Sequence, residues 1–273
     1  MRPERRLLAL LPFALAASPL VAGAQLGATL PGTWRLSGGW VSYSASTDVR
    51  IDSDRFGRGT TVNLEDDLGF ASSVNRLSAA LSWQFAAKHS LELSADNLDR
   101  TSVKNITREL TIGDQTYPLN SKIGANFATQ IIRLRYQYAF FRRDGFEAGP
   151  GVDVPIVFAK VVTGVELPTG TVQKQQKDWT VPPPLPSLYF SARLHPTLYL
   201  QGTAAYMKAT IFGLDVDMTE YRLSGTWLPT THVGGGLAWS GSRAHIARMM
   251  TNHLSEKFSY AFSGPSLFVT LRP

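Results

Sequence analysis

The feature that most constrains this chain is a single-residue alternation of apolar and polar side chains, repeated from one end of its middle to the other. Leu77, Ala79, Leu81, Trp83 and Phe85 are separated by Ser78, Ala80, Ser82 and Gln84. Leu91, Leu93 and Ala95 alternate with Glu92, Ser94 and Asp96. Ile132, Leu134, Tyr136, Tyr138 and Phe140 alternate with Arg133, Arg135 and Gln137. Phe146, Val152, Val154, Ile156 and Phe158 share a parity opposite Glu147 and Asp153. Leu188, Phe190, Ala192 and Leu194 frame Ser191 and Arg193, and Tyr221, Leu223 and Trp227 frame Arg222, Ser224 and Thr226. A period of two sends successive side chains to opposite faces of a strand, where a helix would show a period near 3.6. Ten strands are predicted, over about 33–46, 74–87, 89–103, 122–141, 145–164, 187–195, 197–212, 216–229, 231–241 and 257–272.

The connections sort by length. Short turns follow the even strands: Ala87-Lys88-His89, Arg143-Asp144-Gly145, His195-Pro196-Thr197 and Pro229-Thr230-Thr231. Longer ones, about 47–73, 104–121, 165–186 and 242–256, follow the odd strands, except for a tight turn near Gly213. Short turns at one end and long loops at the other are the organisation of an all-β, antiparallel, up-and-down transmembrane barrel. About 10 strands are expected, within a range of 8 to 12. Many of these strands exceed the usual 5–6 residues, as a tilted membrane strand of about 9–11 residues plus overhang requires.

The polarity of the two faces separates a membrane barrel from a soluble one. A membrane barrel turns its apolar face to lipid and fills its lumen with polar groups. Here the polar face carries whole ions: Arg35, Arg76, Arg133, Arg135, Arg193 and Arg222 against Glu92, Asp96, Glu147, Asp153 and Glu220. In a narrow lumen these ions must pair. Arg76, Glu92, Asp96, Arg133, Arg135, Glu147, Asp153, Arg193 and Arg222 form the candidate lumen charge network, with Asp153 opposite Arg133 or Arg135. A structural plug is the first expectation for such a set, and a narrow pore for ions or small solutes the alternative. A large general diffusion porin is disfavoured, because those have about 16–18 strands.

Residues 1–24 read as a secretory signal peptide, leaving 25–273 as the barrel domain. Arg2, Arg5 and Arg6 are a basic n-region, Leu7 to Ala17 an apolar run, and Ala22-Gly23-Ala24 a small-x-small cleavage site. Its removal lowers the net charge from +6 to +4, so much of the basic balance is targeting rather than nucleic-acid binding. The chain lacks cysteine, which excludes disulfides, thiolate metal sites and cysteine catalysis. Two aromatic girdles are expected: Trp34, Phe85, Phe140, Phe141 and Trp227 at the short-turn end, and Tyr43, Phe158, Phe212, Trp239 and Tyr260 at the long-loop end.

Several segments carry a resemblance. They are Gly59-Thr60-Thr61-Val62-Asn63-Leu64-Glu65-Asp66-Asp67-Leu68-Gly69-Phe70, Lys88-His89-Ser90-Leu91-Glu92-Leu93, Ile112-Gly113-Asp114 with Tyr117-Pro118, Pro184-Leu185-Pro186, and Gly264-Pro265-Ser266-Leu267. With them the chain resembles the eight- to ten-stranded outer-membrane barrels of Gram-negative bacteria. More closely it resembles a proteobacterial barrel family of the small OmpA/OmpW-like kind, for which no biochemical role carries across. The resemblance implies secretion to the periplasm and residence in the outer membrane. It also implies a monomer in contact with outer-membrane lipids, lipopolysaccharide and the barrel assembly machinery. Barrels of that kind usually end on an aromatic residue, whereas here the alternating Leu267, Val269 and Leu271 lead to Pro273. A parity shift between Phe262 and Leu267 predicts a bulge near Gly264-Pro265.

Candidate chemistry is sparse. His253-Leu254-Ser255-Glu256 places a base, a hydroxyl and a carboxylate close together, the makings of a lipid-modifying site, but adjacent loop residues rarely converge without a scaffold. His89, His195, His232 and His245 are scattered without metal spacing. Asp52, Asp54 and Gly57 imitate an EF-hand start, yet Phe56 takes a ligand position and Asn63 stands where a bidentate Glu belongs. Glu65-Asp66-Asp67 and Asp215-Asp217-Glu220 are candidate surface sites for divalent ions, with solvated loop carboxylates as the plainer account. The Pro182-Pro183-Pro184-Leu185-Pro186 run reads as a stiffened loop entering strand six, and Gly234-Gly235-Gly236 as close strand packing. No enzymatic activity, cofactor or metal is expected, and the role is structural or surface-interacting.

Overall fold

In the computed structural model, residues 33–53, 57–105, 107–112, 115–118, 120–166, 172–181, 184–211, 213–250 and 254–272 are described. Residues 1–24, His253, Pro182 and Pro183 lie outside them. Ten long strands form the wall. They are β1 (Trp34–Ser53), β2 (Ser73–Ala86), β3 (His89–Asn105), β4 (Lys122–Tyr138), β5 (Phe146–Glu166), β6 (Leu185–His195), β7 (Leu198–Ile211), β8 (Leu214–Trp227), β9 (Val233–Met250) and β10 (Leu254–Leu271). Each pairs antiparallel with its neighbours in sequence, and β1 pairs with β10, so the sheet closes on itself. Closure removes the edges of the ten-strand wall, while among the described residues the strand Val172–Val181 is paired on its β5 side alone. No helix occurs among the described residues.

The connections bear out the expected asymmetry. At the turn end, β2 and β3 meet across Ala87 and Lys88, and β4 leads through the short strand Phe141–Arg143 to Gly145 and β5. At the loop end, β7 and β8 are joined tightly through Gly213, whose φ of 75° is left-handed and suits glycine. The loop end is more ordered than its sequence implies. The expected loops over 47–73 and 242–256 are partly strand, because β1 runs to Ser53 and the β9–β10 ladder continues to Met250 opposite Leu254. Strand Val172–Val181 extends the line of β6 along the upper part of β5, and its register, Val181 to Val157, is continuous with Leu185 to Asp153. Of the proline run, Pro184 is described, immediately before β6, and Pro186 pairs with Val152 within it.

The expected bulge at Gly264-Pro265 is absent. The β9–β10 register holds unbroken through Trp239 to Pro265 and Ser240 to Gly264. Phe262 and Leu267 simply face opposite sides, Phe262 inward and buried, Leu267 outward and exposed. The same applies to β1, where Val41, Tyr43 and Ala45 face inward while Trp34, Leu36 and Trp40 face outward. Tyr43 and Tyr260 are each 2% exposed inside the barrel, so neither belongs to an outer girdle. Phe212 and the Phe158 side chain lie outside the description.

The outer wall carries a belt of Leu77, Leu81, Leu93, Leu134, Leu188, Leu223, Leu237, Leu267 and Val269, all exposed. Trp34, Phe85, Phe140, Phe141 and Trp227 ring it at the turn end, with Trp34 stacked on Trp83 at 4.7 Å. Tyr206, Tyr221 and Trp239 mark its other margin. Apolar outside and ionic inside is the polarity of a membrane barrel and the inverse of a soluble one. Close packing also accounts for the triple glycine: a Cβ on Gly236 would stand 2.2 Å from the Gly225 carbonyl oxygen.

Candidate functional site

Alternation along β3, β4, β5, β8 and their neighbours drives the predicted ions into the lumen, where they meet as a lattice at mid-height. Arg135 lies opposite Asp153 in the β4–β5 register and grips it with two bonds, Nε to Oδ1 at 2.7 Å and Nη2 to Oδ2 at 2.9 Å. Its Nη1 donates to Glu92 Oε1 at 3.2 Å, and Ser82 Oγ donates to Glu92 Oε2 at 3.1 Å. Arg133, 1% exposed, stands 3.4 Å from Glu220 and 3.8 Å from Asp153. Arg76 pairs with Asp96 at 2.9 Å and lies over the Tyr43 ring at 4.9 Å. Planar guanidinium forks suit this role, because each can hold two carboxylates at once.

Three of the predicted members behave differently from that centre. Glu147 is buried towards the turn end and pairs with Arg142 at 3.5 Å. Arg193 does not join the lattice. It lies half exposed at the turn end, where its guanidinium meets Asp144 at 2.8 Å. Arg193 has the parity of the buried Ser187, Tyr189 and Ser191 and stays in register with Tyr199, but it stands at the turn-end rim, beyond the reach of the lattice. Arg222 is buried beside the Phe268 ring at 5.9 Å, and its three guanidinium nitrogens have no protein hydrogen-bond partner among the described residues. A gap of about 20 Å³ opens beside it, lined by Arg133, Asp153, Glu220 and Ser240, room for roughly one water. Nearer the turn end, a gap of about 30 Å³ reaches Arg35, Glu92 and Glu147.

Above the ions the lumen changes character. Ala205, Met207, Val216, Met218, Ile246, Phe258, Tyr260 and Phe262 close on one another, with Leu185 wholly buried. The three rings of β10 follow one another at 5.9 and 5.2 Å between centroids. Tyr260 and Tyr43 turn their hydroxyls to Ser242 and Ser240, so the polar tips find partners where the two layers meet. This apolar layer went unrecognised in the sequence because its residues look like lipid-facing ones.

The β1–β2 connection folds against the lumen-facing side of β3. Arg100 Nη2 donates to Glu65 Oε1 and to the Ala71 carbonyl, while Glu65 Oε2 accepts the Thr47 amide at 2.7 Å. Ser102 donates to the Leu68 carbonyl, and Arg108 holds Asp67 with bonds of 2.9 and 2.6 Å. The Arg108 guanidinium keeps the Asp67 carboxyl below its usual range, burial opposing it. Glu65 and Asp67 thus pair with arginines, and Glu220 is inside the barrel, apart from Asp215 and Asp217. No group of three potential metal ligands occurs among the described residues. His253 lies outside them, so its grouping with Ser255 is not described.

No protein-family model and no curated protein matches the chain. Among solved structures it is similar to the outer membrane protease OmpT from Escherichia coli, with 9% identity over 90% of this chain and 99% of that one, and a TM-score of 0.56. It is also similar to the toluene transporter TbuX from Ralstonia pickettii, with 8% identity, 90% and 91% coverage, and a TM-score of 0.40. For the outer membrane protein OprG from Pseudomonas aeruginosa the values are 11%, 89% and 99%, and 0.32. At such identities the OmpT likeness is one of fold alone.

Proposed function

We propose that this chain is an integral protein of a Gram-negative outer membrane, reached by secretion through the periplasm, with a sealed lumen and a working surface at its loop end and outer wall. The observation that carries this reading is the filled interior. Guanidinium–carboxylate pairs fill the middle, an apolar cluster fills the space above, and among the described residues the gaps beside the ions are about the size of a water. The exposed belt of leucines, with aromatics at both margins, is what lipid contact requires. Lipid and lipopolysaccharide are then the immediate partners, and the monomer meets the barrel assembly machinery during biogenesis.

Planar-bilayer recording of the purified protein tests the seal, with Arg133→Ala and Arg135→Ala alongside. A folded, heat-modifiable barrel that inserts into vesicles and stays electrically silent is the expected result. Reproducible small conductance, shifting its ion selectivity in either variant, would replace the seal with a narrow charged channel. One observation favours that second reading. Arg222 presents a buried guanidinium without a protein hydrogen-bond partner to the central gap, as an anion-selective constriction would.

A further inference from the structure

Three polar side chains stand in one row on the outer wall, above the apolar belt. The ladder pairs Asp217 of β8 with His245 of β9, and His245 with Ser259 of β10. Their neighbours Val216, Ile246 and Phe258 are buried inside, so the row faces outward. Opposed residues of an antiparallel pair hold their Cβ atoms about 4.5–5.5 Å apart, which puts Asp217 and Ser259 on either flank of one imidazole. His245 Nδ1 already lies 2.8 Å from Ser259 Oγ. The row lines a cavity of about 550 Å³ together with Lys208 and Lys257. Lys208 Nζ is 3.7 Å from Asp217, and Lys257 Nζ is 3.3 Å from Asp52. His245 is exposed and Ser259 half buried, so both are open to a ligand. Arg243, one outward position below His245, is exposed as well.

We propose that Ser259, His245 and Asp217 form a hydrolytic site for the acyl ester of an anionic amphiphile. A hydroxyl becomes a nucleophile when a base lies within hydrogen-bond reach and a third group orients that base. Ser259 and His245 meet the first condition, and the register places Asp217 for the second. His245 takes the Ser259 proton as Oγ attacks the ester carbonyl carbon. The bond to the alcohol breaks as His245 returns that proton to the departing alkoxide. Water then gives a proton to His245 and attacks the acyl-serine carbon. The carboxylic acid leaves as His245 reprotonates Oγ. Strand amides are committed to the ladder, so charge on the carbonyl oxygen falls to the ammonium groups of Lys208 and Lys257. Those cations with Arg243 favour an anionic headgroup, and the belt below accommodates acyl chains. The amphiphile part of the assignment rests on the membrane reading above. The acyl chemistry does not, and the test keeps them apart.

The purified full chain in detergent is treated with a fluorophosphonate probe and, separately, with p-nitrophenyl butyrate, a soluble ester that needs no membrane. Label on the Ser259 peptide and ester hydrolysis are expected. Ser259→Ala and His245→Asn, still heat-modifiable, lose label and lower hydrolysis by about 10²-fold or more. Ser263→Ala, on the same face, changes neither. As a positioning residue, Asp217 declares itself through kcat: Asp217→Asn lowers kcat at unchanged KM, and Asp217→Glu restores part of it. A folded barrel that leaves Ser259 unlabelled, or hydrolysis that survives Ser259→Ala, overturns the site. Hydrolysis by a barrel that fails to enter phospholipid vesicles overturns the membrane reading and leaves the site standing.

Discussion

The two storeys of the lumen solve one problem in opposite ways. In the lower storey, Arg135, Asp153, Glu92, Arg133 and Glu220 fill space with ions that hold one another. In the upper storey, Phe258, Tyr260, Met218 and Ile246 fill it with apolar side chains. A lattice of ions depends on each member, because desolvation is repaid only by complete pairing. A packed apolar cluster loses stability in proportion to what is removed. The same barrel therefore contains a region intolerant of single losses and a region that degrades gradually.

The largest effect is expected from Asp153→Ala, which removes the carboxylate shared by Arg133 and Arg135 and leaves each with one partner. A loss of about 3–5 kcal/mol is expected, read as the urea midpoint of the detergent-folded barrel. Phe258→Ala in the upper storey costs about 3 kcal/mol. A swap sharpens the contrast. Asp96→Leu alone destabilises strongly, whereas Asp96→Leu with Arg76→Met recovers to within about 1 kcal/mol of the parent. If the double variant is as weak as the single, the lower storey is held by shape and not by charge pairing. The smallest effect concerns the mouth. The lowered Asp67 carboxyl stabilises the β1–β2 connection fully above the usual carboxylate range near pH 4, and this is lost as pH falls through the lowered value. Being half exposed on the Arg108 side, the pair contributes under about 1 kcal/mol. Limited proteolysis of residues 57–72 checks it, with Arg108→Gln expected to abolish the pH dependence.

The lower storey was legible in the sequence and the upper was not, for one reason. An arginine between apolar residues, as at Arg133 and Arg135, has a single tolerable side in a membrane barrel, so parity assigns it. Phenylalanine is tolerated on both sides. Tyr260 therefore reads as part of an outer girdle, and the change of parity between Phe262 and Leu267 as a bulge. Arg193 shares the lumen parity but stands at the turn-end rim, where Asp144 meets it, and parity alone carries no height. The ten strands and their turns were visible because each turn carries its own local chemistry. His245 and Ser259 were invisible as a pair. Their meeting depends on a ladder that continues where a loop was expected, and only register brings together residues 14 positions apart.

The joint between the first and last strands has a consequence for how the molecule comes to exist. There Ser37 donates to Thr270 across a separation of 233 residues. Every other wall contact forms between strands that follow one another along the chain, so a meander of nine hairpins can assemble as it emerges. The final closure must wait for the last residues and carries the largest loop entropy in the molecule. Until then two long edges, β1 and β10, stand unpaired and prone to joining other chains. Pro265, without an amide hydrogen, interrupts the closing ladder between Val41–Ser266 and Ser44–Ser263. The slowest step in making this protein is thus expected to be the zippering of its own circumference, and a chain ending before β10 to aggregate rather than fold.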